Sequence, residues 1–231
     1  MGKIIGIGGG FNDEDEVALA KYVMELTGKA HPNYLQIPTT GYDFADGHSV
    51  GFYYKMGCET DILYLTHVYM TEEIIAQKIR NADMIHVPGG NLKFVSEVWR
   101  RTGADKYLKE AFEQDKVLFG SSSGSMCWFA QGYDDCGPQD SFMFIDALGL
   151  LPYCNCPHYE GAFWQSFNDR VTQTKLSSIA CENETAVCYI DGKWSLMIAS
   201  ARPDARVWFF DASDGYRRCD LRQHPEILER L

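Results

Sequence analysis

Residues 116–124 read Lys116-Val117-Leu118-Phe119-Gly120-Ser121-Ser122-Ser123-Gly124. The first five are a short apolar run of the length of a buried strand, and the glycine–serine cluster follows with no spacer before a segment that reads as helical. Gly120 to Gly124 is Gly-x-Ser-x-Gly in the strand-to-helix setting that gives this pattern meaning: a tight turn that lifts the middle side chain, Ser122, above the sheet edge. Small neighbours are required because bulky ones would clash in so sharp a bend. The backbone N–H of Ser123 and the positive end of the following helix then face the place where an oxyanion would form.

Outward from this stretch, apolar runs alternate with helical patterns. Strands are predicted over residues 3–8, 33–38, 60–65 and 83–88. Helices are predicted over 13–26, 44–56, 71–81 and 103–114, with acidic residues crowding the first turn of the first and Thr71 as N-cap of the third. Strands separated by helices imply βαβ units and a parallel sheet. The C-terminal third changes character. Residues 186–190 and 194–199 flank the hairpin signal Asp191-Gly192, and 207–210 adds a strand, so antiparallel strands are expected to finish one edge. The fold class expected is α/β, a three-layer sandwich with a mostly parallel central sheet, and one domain over residues 1–231. No linker, internal repeat or low-complexity segment interrupts it.

Composition narrows the function. The chain has 231 residues, 45% of them hydrophobic, and a formal net charge of −11. That charge opposes binding to nucleic-acid phosphates or anionic lipid. No apolar run reaches the roughly 18 residues that span a bilayer, and the opening MGKIIGIGGG is too short and glycine-rich for a signal peptide. The eight cysteines are therefore expected as reduced thiols in the cytoplasm, most of them small buried hydrophobes. Cys154-Asn155-Cys156-Pro157-His158 has no partner pair at zinc-finger spacing, so no metal is expected. Gly8-Gly9-Gly10 lacks the spacing of a dinucleotide loop, and no cofactor is expected.

A serine hydroxyl needs a base to take its proton. Of the six histidines, His158 lies in a loop downstream of Ser122 behind the restricting Pro157. His86 falls within a strand and reads as a packed residue, while His31 and His224 read as surface. Asp134, Asp135, Asp140, Asp146 and Glu160 are all candidates to orient the base, and spacing does not choose among them. Pro88-Gly89-Gly90-Asn91 follows a strand where a second backbone donor would sit. The aromatic residues Trp128, Phe129, Phe142, Phe144, Phe163 and Trp164 bracket these positions, as core or as pocket wall.

Five pieces in order, Ile7-Gly8-Gly9-Gly10, Pro88-Gly89-Gly90-Asn91, Gly120-Ser121-Ser122-Ser123-Gly124, Leu148-Gly149-Leu150-Leu151-Pro152 and Cys156-Pro157-His158-Tyr159, give the chain its resemblance to the dipeptidase E and cyanophycinase family of serine peptidases. That family shares the fold of the class I glutamine amidotransferases. The resemblance implies Ser122 as nucleophile, His158 as base, Gly90 and Ser123 as oxyanion donors, and Asp135 as the best match for the acid, with Asp134 and Asp140 one small gap away. It implies a small peptide substrate and cleavage after an N-terminal aspartate, for which Arg170 and Arg202 are the visible cations. Two positions depart from the pattern: Ser123 stands where alanine is usual, and Ser121 where a larger or threonine-like residue is frequent. A different serine-dependent amidase or esterase on the same machinery, or a binding module that keeps only the fold, are the alternatives. The sequence is silent on oligomeric state.

Overall fold

The computed structural model describes residues 2–231, apart from the side chains of Asp13 and Asp140. Five parallel strands form the heart of the first sheet: β1 (Lys3–Ile7), β2 (Asn33–Gln36), β3 (Glu59–Ile62), β4 (Met84–Val87) and β5 (Val117–Ser121). The hairpin β10 (Thr185–Ile190) and β11 (Lys193–Ile198) closes one edge antiparallel to β1, giving the order β11-β10-β1-β5-β4-β2-β3. The α/β reading, with a mostly parallel centre and the antiparallel hairpin of residues 186–190 and 194–199 at the edge, matches this sheet; the strand expected at 207–210 forms but does not join this edge, pairing instead in a second sheet.

Both faces of the parallel strands are apolar because helices cover both. Leu19, Ala20 and Val23 of α1 (Asp13–Glu25) and Tyr53 of α2 (Gly47–Lys55) pack over Ile5, Ile7, Met84 and Phe119. On the other face α3 (Glu72–Asn81), α4 (Leu92–Thr102) and α5 (Ala104–Glu113) bury Ile75, Ile79, Val95, Trp99 and Leu108 with Ile4, Leu35, Ile85 and Leu118. Thr71 caps α3 as expected, accepting from the Ile74 N–H.

Two features differ from the sequence reading. Helix α4 begins directly after the Gly89-Gly90 turn, capped by Asn91, whose side chain accepts from Phe94 N–H. The helix after Ser122 is a single turn, α6 (Ser123–Met126), and the chain then enters a second sheet. That sheet, unanticipated from sequence, holds β6 (Phe129–Asp134), β7 (Met143–Asp146), β8 (Leu151–Cys156), β9 (Ser178–Cys181), β12 (Val207–Asp211) and β13 (Arg217–Asp220), ordered β13-β12-β9-β8-β6-β7. A four-residue α7 (Phe167–Arg170) lies between β8 and β9.

His86 is the packed residue expected of a strand interior, 9% exposed. Its ring stacks on Phe119 with centroids 4.7 Å apart, and Nδ1 pairs with the Tyr34 hydroxyl at 2.7 Å. Burial pushes its pKa down to about 4 from the ordinary 6.5, with Asp46 opposing. Because the folded pKa is depressed, the stabilising contribution is present above pH 6.5 and is lost as pH falls towards 4. The linkage amounts to about 2 kcal/mol at a pH of about 5. Denaturant titrations of wild type and His86→Gln at neutral pH and at about pH 5 should show the wild type losing about that much more stability than the variant. An equal loss in both would remove His86 as the cause.

Candidate active site

The site forms where the two sheets meet. Ser122 leaves β5 in the first sheet, and His158 follows β8 in the second. Their backbone amides hang on consecutive carbonyls at the end of β1: Ser122 N–H donates to Ile7 O at 3.1 Å, and His158 N–H to Gly8 O at 3.0 Å. The strand end therefore brings together two residues separated by a whole excursion through the second sheet.

Ser122 has φ 56° and ψ −123°, a conformation that L residues avoid and that costs about 1–3 kcal/mol. The turn is held by close approach of its flanks: a side chain at Gly120 or Gly124 would overlap the Val87 carbonyl of the neighbouring strand. Such strain, retained at one residue, marks a side chain whose direction is fixed by its surroundings. On one side of Ser122 stands the Pro88–Gly90 turn, where a Cβ at Gly89 would lie 3.3 Å from Ser122 Cβ and 3.7 Å from its Oγ. At Gly90 (φ +151°) a side chain would overlap Thr40 O, so the backbone runs tight against the 38–41 turn.

His158 also has a positive φ, 50°. Its Nδ1 lies 2.6 Å from Asn183 Oδ1. An amide oxygen only accepts, so Nδ1 donates to it; in the neutral ring this leaves the lone pair on Nε2, the tautomer a general base needs. Asn183 sits in the connection from β9 to β10, the link between the sheets, and its N–H donates to both Glu160 oxygens, at 3.2 and 3.0 Å. A Cβ on Gly9 would stand 3.0 Å from His158 Nδ1 and would overlap Asn183 Oδ1, so the glycine-rich end of β1 leaves room for this pair. Trp164 covers the other side of the ring, with centroids 5.2 Å apart. Ser122 Oγ makes no hydrogen bond to His158; contacts of this type are commonly loose before substrate binds.

The expected acid is not the residue found on the imidazole. Asp135 is exposed, and its carboxylate has no hydrogen-bond partner among the described residues. Asp134 is fully buried at the end of β6, where Oδ2 accepts from Leu92 N–H at 3.2 Å and lies 2.8 Å from Ser123 Oγ. The side chain of Asp140 lies outside the described side chains. Asp134 is the last residue of β6 and points into the core, whereas Asp135 opens the exposed loop after it. Asn183 lies 25 residues beyond His158 and outside the Ser122–His158 interval in which most of the candidate acids fall. Its one local signal is polar Glu182-Asn183-Glu184 between two apolar strands.

Ser123 and Gly90, the expected oxyanion donors, are joined directly: Ser123 Oγ lies 2.8 Å from Gly90 O. Neither backbone N–H is engaged by an acceptor among the described residues. Cys127 is buried, its Sγ donates to Gly124 O, and burial raises its thiol far above the ordinary range, so it offers no thiolate here.

A cleft of about 370 Å³ opens beside the turn, lined by residues that include Phe11, Glu16, Asp46, Tyr53, His86 and Ser121. Arg170 lies elsewhere, against the aromatic wall next to His158. Its Nη1 donates to Phe142 O at 2.6 Å, and the guanidinium sits 5.5 Å over the Tyr133 ring. Arg202 is committed to Glu160, Glu184 and Asp204, each at 3.9 Å. Among the described residues, no helix is long and apolar enough to cross a membrane.

Comparison with known proteins places the family and the fold. The peptidase family S51 model matches residues 4–197. The chain is 31% identical over 167 residues to the uncharacterized peptidase YgaJ of Bacillus subtilis (strain 168), covering 70% of each chain. A crystal structure of a peptidase from an acI-B1 actinobacterium superposes with a TM-score of 0.66 at 18% identity, covering 95% of this chain and 94% of that one, which is a likeness of fold. On a family match that runs from β1 into β11, and on a relative of this identity and extent, the chain belongs to peptidase family S51.

Proposed function

We propose that this peptidase hydrolyses short peptides through an acyl-enzyme on Ser122. His158 Nε2 accepts the Ser122 proton as the hydroxyl attacks the scissile carbonyl, and it then returns that proton to the leaving amine. Asn183 holds the ring through Nδ1–H. The N–H groups of Gly90 and Ser123 stabilise the tetrahedral oxyanion, a contribution that can approach several kcal/mol per donor in a dry site. Water enters by the same base to release the acid product. The observation that carries this reading is the strained Ser122 turn hung beside an imidazole anchored through Nδ1, both on adjacent carbonyls of β1.

The finer reading is cleavage after an N-terminal aspartate, with Arg170, whose guanidinium lies 5.5 Å over the Tyr133 ring, as the candidate cation. Eight unpaired thiols support a reducing, cytoplasmic setting. A panel of Asp-X, Asn-X, Lys-X and Leu-X dipeptides, run beside amide and ester substrates, tests the assignment. Turnover of short peptides with Asp-X favoured over Asn-X is expected, together with covalent modification at Ser122 by a fluorophosphonate. Equal rates for Asp-X and Asn-X would remove the aspartyl preference. Ester cleavage with no peptide cleavage would move the activity to another class of acyl transfer.

A further inference from the structure

The proton count around Ser123 leads beyond the three residues of the hydrolytic centre. Ser123 Oγ lies 2.8 Å from Gly90 O and 2.8 Å from Asp134 Oδ2. A hydroxyl has one proton, and a carbonyl oxygen can only accept. If Ser123 donates to Gly90 O, its contact with Asp134 is a hydrogen bond only when Asp134 supplies a proton. If Asp134 were ionised and took the Ser123 proton, the lone pairs of Ser123 Oγ and Gly90 O would face each other at 2.8 Å with nothing between them.

The surroundings agree with a neutral acid. Asp134 is 0% exposed, and its Oδ1 has no hydrogen-bond partner among the described residues. The groups that face it are few. From its own strand and the following loop come Asp135, which repels a second negative charge, and the Cys136 thiol, itself neutral with its pKa pushed up to about 11. From α6 comes Ser123, and from α4 the Leu92 N–H at the positive end of the helix, which favours the anion. No lysine, arginine or histidine forms an ion pair with it among the described residues. Burial is the largest influence and moves the carboxyl upward, outweighing the contacts with Ser123, Cys136 and Leu92.

We propose that Asp134 is a positioning residue of the oxyanion hole, held as the neutral acid: it donates to Ser123 Oγ, Ser123 donates to Gly90 O, and this relay fixes the two backbone amides that face the developing negative charge. The assignment rests on the acyl-enzyme reading above, and it adds a residue that never meets the substrate. Asp134 also grips the first turn of α4 through Leu92, so the turn carrying Gly90 is held from both ends.

The test compares Asp134→Ala, Asp134→Asn and Ser123→Ala in the full chain. Asp134→Ala should lower kcat by about 10- to 100-fold, less than outright removal of a donor, with KM within about threefold. Asp134→Asn, whose amide N–H₂ can donate to Ser123 Oγ, should recover most of that loss. Ser123→Ala should fall with Asp134→Ala, and the double variant should be no slower than the worse single one, because both act through one hydroxyl. Wild-type kcat in folded Asp134→Ala, or a loss in KM alone, would overturn the positioning role. An Asn variant as slow as the Ala variant would overturn the neutral state. Infrared difference spectra of wild type against Asp134→Asn at neutral pH give a readout independent of turnover: the band of a protonated carboxylic acid should be present in one and absent in the other. Its absence from wild type overturns the neutral state in any folded sample. A Ser122→Ala variant as active as wild type would overturn the parent reading and, with it, the oxyanion role.

Discussion

Ser122→Ala should abolish peptide hydrolysis, lowering kcat by about four to six orders of magnitude, while the melting temperature stays within a few degrees of wild type. The size of the loss follows from what the hydroxyl does. Without it no acyl-enzyme forms, and the residual rate is what the oxyanion donors and binding alone provide. The small effect on stability follows from the geometry. Alanine keeps the Cβ, so the positive φ of 56° and its strain remain, and Ser122 Oγ makes no hydrogen bond among the described residues that folding would lose. Its N–H still donates to Ile7 O, because that contact belongs to the backbone. Steady-state kinetics and a thermal melt on the same preparation check both halves. Turnover within tenfold of wild type in a folded Ser122→Ala protein would take the nucleophile elsewhere.

The fold and the site are written in the sequence with unequal clarity, and the differences have physical causes. The parallel strands declared themselves because helices on both faces demand unbroken apolar runs such as Val117-Leu118-Phe119. The turn at Ser122 was legible because only small residues fit beneath the Val87 carbonyl. The second sheet was not legible. Its strands, Phe129–Asp134 and Leu151–Cys156, mix glycine, proline, asparagine and glutamine with aromatics, and neighbours hold them extended more than their own propensity does. Helix α4 was hidden for a related reason: Gly89-Gly90 reads as a loop, although Asn91 followed by Leu92, Val95, Val98 and Trp99 carries both a cap and a helical stripe. The partner of His158 was hidden most deeply, because the contact spans 25 residues and depends on how two sheets are joined.

Asn183 should therefore matter where Asp135 does not. Asn183→Ala removes the acceptor 2.6 Å from His158 Nδ1. The imidazole is then free to turn and to move its proton to Nε2, where it blocks the lone pair that must take the Ser122 proton. A wrong tautomer of this kind can cost about 10⁴-fold when the partner is an aspartate. A neutral amide orients the ring without the added charge stabilisation, so a loss of roughly 10²- to 10³-fold in kcat is expected, with KM little changed. Glu160→Gln should cost less, about tenfold or under, because Glu160 acts one step back: it receives the Asn183 backbone N–H and does not touch the ring. Asp135→Asn, at an exposed position with no hydrogen-bond partner among the described residues, should leave kcat within about twofold, in line with the small effects of most surface substitutions. The ordering of the three variants is the decisive measurement. A large loss in Asp135→Asn beside an unaffected Asn183→Ala would return the orienting role to the aspartate and require the loop after β6 to swing onto His158 when substrate binds.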